Sequence, residues 1–158
     1  MTSLSHAYMT EASLGRTLSS REVSRFSPME VRQAIADLVS QDRMELAQAL
    51  GDAGMSLYPQ SQDILAICAL LAETRQDWTA AEDLLARLIL AQAGDTPVTT
   101  WQHYIRVLRC LCELPAALQI TETALEQYPN NPELIGERDF LVNTLGTSKA
   151  VESTDTRH

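Results

Sequence analysis

The stretch SQDRMELAQALGDAGMSLYP, residues 40–59, decides the fold because it returns twice. It aligns with TRQDWTAAEDLLARLILAQA at 74–93 and then with CELPAALQITETALEQYP at 112–129. Ala47 and Ala81 lie 34 residues apart, and Ala81 and Ala117 lie 36 apart, one period plus a two-residue insertion. Self-similarity at a period of this size marks stacked helix–turn–helix units, each of which buries its apolar face only against its neighbours. Such stacks usually bind peptides or other proteins and do no chemistry. The period alone names no partner.

Working outward from this stretch, the pattern is helical from Pro28 to about Leu145. Ser27-Pro28 gives an N-cap and a first-turn proline for a helix to about Ser40. Gln41-Asp42 makes the turn. A second helix covers about Met44 to Leu57 and stops before Pro59. Further helices are expected over about Ser61–Thr74, Thr79–Ala93, Thr100–Leu111 and Pro115–Tyr128, with AGDTP at 93–97 as a loop. Asn131-Pro132 caps a seventh, from about Glu133 to Leu145, ended by Gly146. No segment alternates like a strand. The expected class is all-α, a short solenoid of three helix–turn–helix repeats plus a C-terminal capping helix over 28–145. Two antiparallel helices approach closely only where a small residue meets the neighbour, and Ala47, Ala81 and Ala117 each sit one turn into the second helix of a pair.

The flanks read differently. Residues 1–27 are rich in serine and threonine, and Gly15, Ser19 and Ser20 weaken any helix there. The segment reads as flexible, ordering when bound, with self-docking or a homodimer contact as its alternative use. Residues 146–158, GTSKAVESTDTRH, have almost nothing to bury and read as a disordered tail.

Composition narrows the function. A net charge of −9 argues against nucleic acid and against anionic membrane surfaces, since both need a cationic face. Aromatics are few at 5% while alanine and leucine abound, which favours helices packed through small residues. Cys68, Cys110 and Cys112 make no even framework and fit a reducing compartment. No apolar run approaches the roughly 20 residues of a membrane span, and no secretory leader is visible, so a cytoplasmic protein is expected. Cys110 and Cys112 are two apart on a helix, point to different faces and make no CxxC pair; they read as buried structural thiols. His6, His103 and His158 are scattered. Asp37 with Asp42, and Glu122 with Glu126, read as solvated faces. GDAG at 51–54 lacks the lysine of a phosphate loop. No catalytic residue, metal site or cofactor is expected, and an unrecognised enzyme stays a remote alternative.

These residues resemble the tetratricopeptide repeat family, whose unit of 34 places an aromatic at position 4, small residues at 8, 20 and 27, and proline at 32. The third repeat matches best, with Trp101, Tyr104, Leu108, Ala117, Ala124 and Pro129 at positions 4, 7, 11, 20, 27 and 32. The second carries Ala69, Trp78 and Ala81 but ends on Ala93 in place of proline. The first carries Ala47, Gly54 and Pro59, with Ile35 at a small-residue position. The resemblance implies a concave groove lined by the first helix of each repeat. Carried over, its residues are Met29, Arg32, Ala36 and Val39; then Asp63, Ala66, Leu70 and Glu73; then Thr99, Gln102, Arg106 and Arg109, with Phe140 and Asn143 extending the line.

Members of the family that grip a C-terminal carboxylate use asparagines where this chain has Ala36 and Ile67, so that clamp is absent. What remains is an apolar floor, Ala36, Val39, Ala66 and Leu70, with Arg106 and Arg109 at one end. It suits an apolar or amphipathic protein segment with an acidic flank. The implied function is a protein-interaction module, an adaptor or assembly factor. In build the chain also resembles the tetratricopeptide chaperones of bacterial type III secretion, which hold hydrophobic export substrates. An Ala81→Leu chain should lose about 1–3 kcal/mol by overpacking, and Trp101→Ala about 3–5 kcal/mol, both read from denaturant unfolding of the full chain.

Overall fold

In the computed structural model residues 3–14 and 18–154 are described, with side chains to Lys149. Among them are nine helices and no strand. They are α1 (Leu4–Ser13), α2 (Ser20–Val23), α3 (Pro28–Ser40), α4 (Met44–Leu57), α5 (Gln62–Thr74), α6 (Trp78–Gln92), α7 (Val98–Cys110), α8 (Leu114–Gln127) and α9 (Pro132–Thr154). The helices α3/α4, α5/α6 and α7/α8 are the three expected pairs, and α9 packs on α8. The chain divides after Ala93 into two compact units.

One turn is used three times. Asp42, Gln76 and Cys112 take the left-handed conformation, at φ 58°, 59° and 59°. In each case the next amide reaches back five residues: Arg43 N donates to Leu38 O at 2.8 Å, Asp77 N to Ala72 O at 2.9 Å, and Glu113 N to Leu108 O at 2.9 Å. This is the Schellman closure, which satisfies the last carbonyls of the first helix and reverses the chain in the fewest residues. The following helix then brings Ala47, Ala81 and Ala117 fully out of solvent, as their spacing implied.

The far end of a repeat is tied by a tyrosine. Tyr58 Oη donates to Phe26 O at 2.6 Å, and Tyr128 Oη donates to Thr96 O at 2.8 Å. Each reaches from the end of the second helix to the residues that precede the first. The second repeat has Gln92 at the corresponding position, and there Gln62 Nε2 donates to Ala91 O at 3.2 Å.

In the first unit Val31, Ile35, Leu38, Leu50 and Ile64 form a fully buried core. Gly54 lets α4 lie against it: a β-carbon there would stand 3.2 Å from Ile64 Cδ1 and 3.3 Å from Val31 Cγ1. The GDAG run is therefore a packing feature of α4. In the second unit Leu108, Ala117 and Leu141 form the core. Trp101 is buried nearby, its Nε1 donating to Gln127 Oε1 at 3.0 Å.

Three expectations are corrected. Residues 1–27 are not a flexible leader where they are described. Leu4 and Tyr8 of α1 and Val23 of α2 are buried in the same core as Val31 and Ile35. The serines that looked like disorder are caps: Ser3 Oγ accepts from His6 N, and Ser19 forms a capping box with Glu22. Gly15, Arg16 and Thr17 lie outside the described residues.

The C-terminal tail is corrected in part. Gly146 does not stop α9, which continues to Thr154; residues 155–158 lie outside the described residues. An isolated glycine weakens a helix without ending it unless the chain turns left-handed there. Lastly, Cys110 and Cys112 are exposed, not buried, because one ends α7 and the other is the turn residue; Cys68 is buried.

The repeated turn makes a stability test. Gln76→Gly and Cys112→Gly should each stabilise by about 0.5–1 kcal/mol, relief of left-handed strain exceeding the extra freedom of the unfolded glycine. Asp42→Gly should gain less, since a short polar side chain tolerates this conformation. Denaturant midpoints of the three variants check the order.

Candidate functional site

In the first unit α3 packs against α5. Their register is set by Arg32, whose Nη1 meets Asp63 Oδ1 at 2.9 Å. One turn further along each helix come Ala36 and Ala66, and about a turn beyond those come Val39 and Leu70. Val39 is 36% exposed and Leu70 43%, so this face leaves apolar side chains in water. Ala36 is exposed, while Ala66 and Glu73 are partly buried. The inward-pointing neighbours on the same helices, Ile35, Leu38, Ile67 and Leu71, are buried. The Arg32–Asp63 pair is nearly half exposed on both sides, so it orders the surface while contributing little stability.

In the second unit α7 faces α9. Gln102 Nε2 donates to Glu133 Oε2 across the same interval of 31 residues that separates Arg32 from Asp63. Arg109 Nη1 lies 3.1 Å from Glu137 Oε1 and donates to Oε2 at 3.2 Å. Its guanidinium also rests 4.6 Å from the centroid of the Phe140 ring. A hollow of about 320 Å3 opens between Gln102, Ile105 and Arg106 on α7 and Glu133, Leu134 and Glu137 on α9.

The structure thus assembles the expected groove residues in two sets. Arg32, Ala36, Val39, Ala66, Leu70 and Glu73 belong to the first unit, and Gln102, Arg106 and Arg109 to the second. Sequence reasoning missed Glu133 and Glu137. A signal was there: Glu133 follows Gln102 as Asp63 follows Arg32. Also missed was a hollow of about 560 Å3 between α1 and α3, walled by Leu4, Phe26, Ala34 and Asp37, because α1 itself was not expected.

Among the described residues no group of three or more His, Cys, Asp or Glu side chains could hold a metal ion. Nor, among them, is any helix long and apolar enough to cross a membrane. Cys68 makes a poor nucleophile. Burial, aided by the Asp52 charge, pushes its thiol up to about 11, and its Sγ lies 3.6 Å from Gly51 O.

No family model matches the sequence, and no curated protein matches it. Solved structures do match. The first tetratricopeptide domain of Spaghetti (RPAP3), bound to the HSP90 peptide SRMEEVD, aligns over 82% of this chain and 97% of that chain, with a TM-score of 0.63 at 16% identity. MamA (AMB-1) aligns over 88% of this chain and 82% of that chain, with a TM-score of 0.66 at 15% identity. The second tetratricopeptide domain of human RPAP3, in complex with the HSP70 peptide SGPTIEEVD, aligns over 73% and 98%, with a TM-score of 0.58 at 18% identity. The chain has the fold of tetratricopeptide repeat domains.

Thiol accessibility gives a direct check. At about pH 8 iodoacetamide should alkylate Cys110 and Cys112 and spare Cys68 until the chain unfolds. The sign of the pH effect follows from the raised thiol. An unfolded thiol near its ordinary 9.0 ionises first, so the stability held by the neutral Cys68 is complete below that value and is lost as pH rises towards about 11.

Proposed function

We propose that this protein is an interaction module that takes an apolar or amphipathic segment of a partner protein on the inner faces of its repeats, as an adaptor or assembly factor. The observation that carries this reading is the line of Met29, Val39 and Leu70 left in water on two packed helices whose remaining large aliphatic side chains, among them Val31, Ile35, Leu38, Ile64, Leu65, Ile67 and Leu71, are buried. Uncovered apolar side chains in register across two packed helices are what a binding surface needs.

Two similar folds support the reading, because the RPAP3 domains carry peptides. Both of those peptides end in Glu-Glu-Val-Asp. Here Ala36 and Ile67 have no side-chain amide, which favours an apolar anchor over a terminal carboxylate. The protein works by binding in this reading, and its three free cysteines suit a reducing compartment such as the cytoplasm.

The test is a peptide array probed with the full chain, followed by titration of the peptides that bind. Binders should carry Leu, Ile, Phe or Met at helical spacing. Val39→Asp and Leu70→Asp should each weaken them about tenfold or more while lowering thermal stability far less than the same change at the buried neighbour Leu38, since both side chains are partly in water. Binding that ignores both substitutions and responds to changes on α4 or α6 overturns the reading.

A further inference from the structure

Arg109 stands between two hollows of the second unit. The first is the hollow of about 320 Å3 beside Gln102, Ile105, Glu133 and Leu134. The second, about 420 Å3, is walled by Cys110, Leu114, Phe140 and Thr144. Arg106 and Arg109 border both. The Arg109 side chain crosses from α7 to α9, where it takes the Glu137 carboxylate and covers part of the Phe140 ring.

This crossing is weakly held. The side chains of Arg109 and Glu137 are 41% and 21% exposed, and Phe140 is 48% exposed. Ion pairs and cation–ring contacts so open to water contribute little. Meanwhile the ring of Phe140 stays half in solvent above a hollow whose walls include Leu114, so a large part of the burial available here is unrealised.

We propose that Arg109 is a latch, closed in the free chain by Glu137 and opened by a partner segment that carries an Asp or Glu side chain beside a large apolar one. The partner carboxylate takes the place of Glu137 on the guanidinium and the released Glu137 carboxylate turns to water, so the exchange of charge partners supplies no net drive. The apolar neighbour enters the hollow beside Phe140 and Leu114, and its burial drives the opening. The acidic chain, at −9, repels acidic segments at long range, so acidity without the apolar anchor gives no binding. A basic segment is attracted overall but leaves Glu137 on Arg109 and the latch shut. The proposal rests on the interaction-module reading and adds the chemistry the partner carries at this end.

The test uses two synthetic amphipathic peptides, capped at both ends, with identical leucines at helical spacing. One is flanked by Asp and Glu, the other by Asn and Gln. Each is titrated into the full chain and into Glu137→Gln and Arg109→Gln, with unfolding curves recorded for both variants. The latch requires the acidic peptide to bind the wild-type chain more tightly. Glu137→Gln should raise affinity for the acidic peptide about two- to fivefold and leave the neutral one unchanged. Arg109→Gln should make the two peptides equal. Equal binding of both peptides, or indifference to Glu137→Gln, overturns the latch and leaves the apolar surface standing. Failure of both peptides to bind overturns the latch together with the interaction-module reading.

Discussion

The close passage of two antiparallel helices at Ala47, Ala81 and Ala117 is the constraint on which the rest depends. Each alanine is fully buried, and each begins one turn after a left-handed residue that reverses the chain. A methyl group at the crossing lets the backbones approach; a larger side chain would hold them apart and splay the pair. The tight reversal and the small residue act together. The Schellman turn delivers the second helix at the angle and distance at which the alanine fits, and the fit in turn holds a non-glycine residue in the left-handed region. With the pair fixed, the first helices of the first two repeats come side by side, and Arg32 meets Asp63. The exposed strip of Val39 and Leu70 is a consequence of that geometry, since the opposite faces of α3 and α5 are used up in the core.

What the sequence disclosed was governed by periodicity. The bounds of α3, α4 and α8 fall within a residue or so of the expected ones because proline, a cap or a turn residue sits at each end. The all-α class and the burial of the three alanines followed from the spacing alone. The turn chemistry was hidden because Asp42, Gln76 and Cys112 share no residue type; only their common place five residues before Ala47, Ala81 and Ala117 identifies them. That is also why Cys112 was taken for a core thiol. The N-terminal helices were hidden because their caps are serines and their apolar contribution is small, chiefly Leu4, Tyr8 and Val23. Such a segment gains order from the repeats it packs on and not from its own propensity, which single-segment patterning does not register.

The site shows a similar division. The expected groove positions on α3, α5 and α7 could be named from the sequence because they fall at fixed places in the repeat. The carboxylates of α9 were not, because Glu133 and Glu137 serve a helix expected only to close the stack. Their presence changes the character of the surface. Arg109 is satisfied in the free chain by Glu137, as Arg32 is by Asp63, so in each unit an arginine expected to line the groove is already paired with a carboxylate. In the proposed reading, recognition turns on apolar burial, with charge setting which flanks are tolerated.

The central claim is that partners are held in the first unit by the exposed faces of α3 and α5. Methyl and amide cross-saturation from a bound amphipathic peptide to the isotope-labelled full chain tests it most directly. The account predicts saturation at Val39, Ala66 and Leu70, with the buried crossing alanines and the exposed residues of α4 and α6 unaffected. Saturation centred on Asp52, Ser56 or Asp83, on the outer helices, would contradict it.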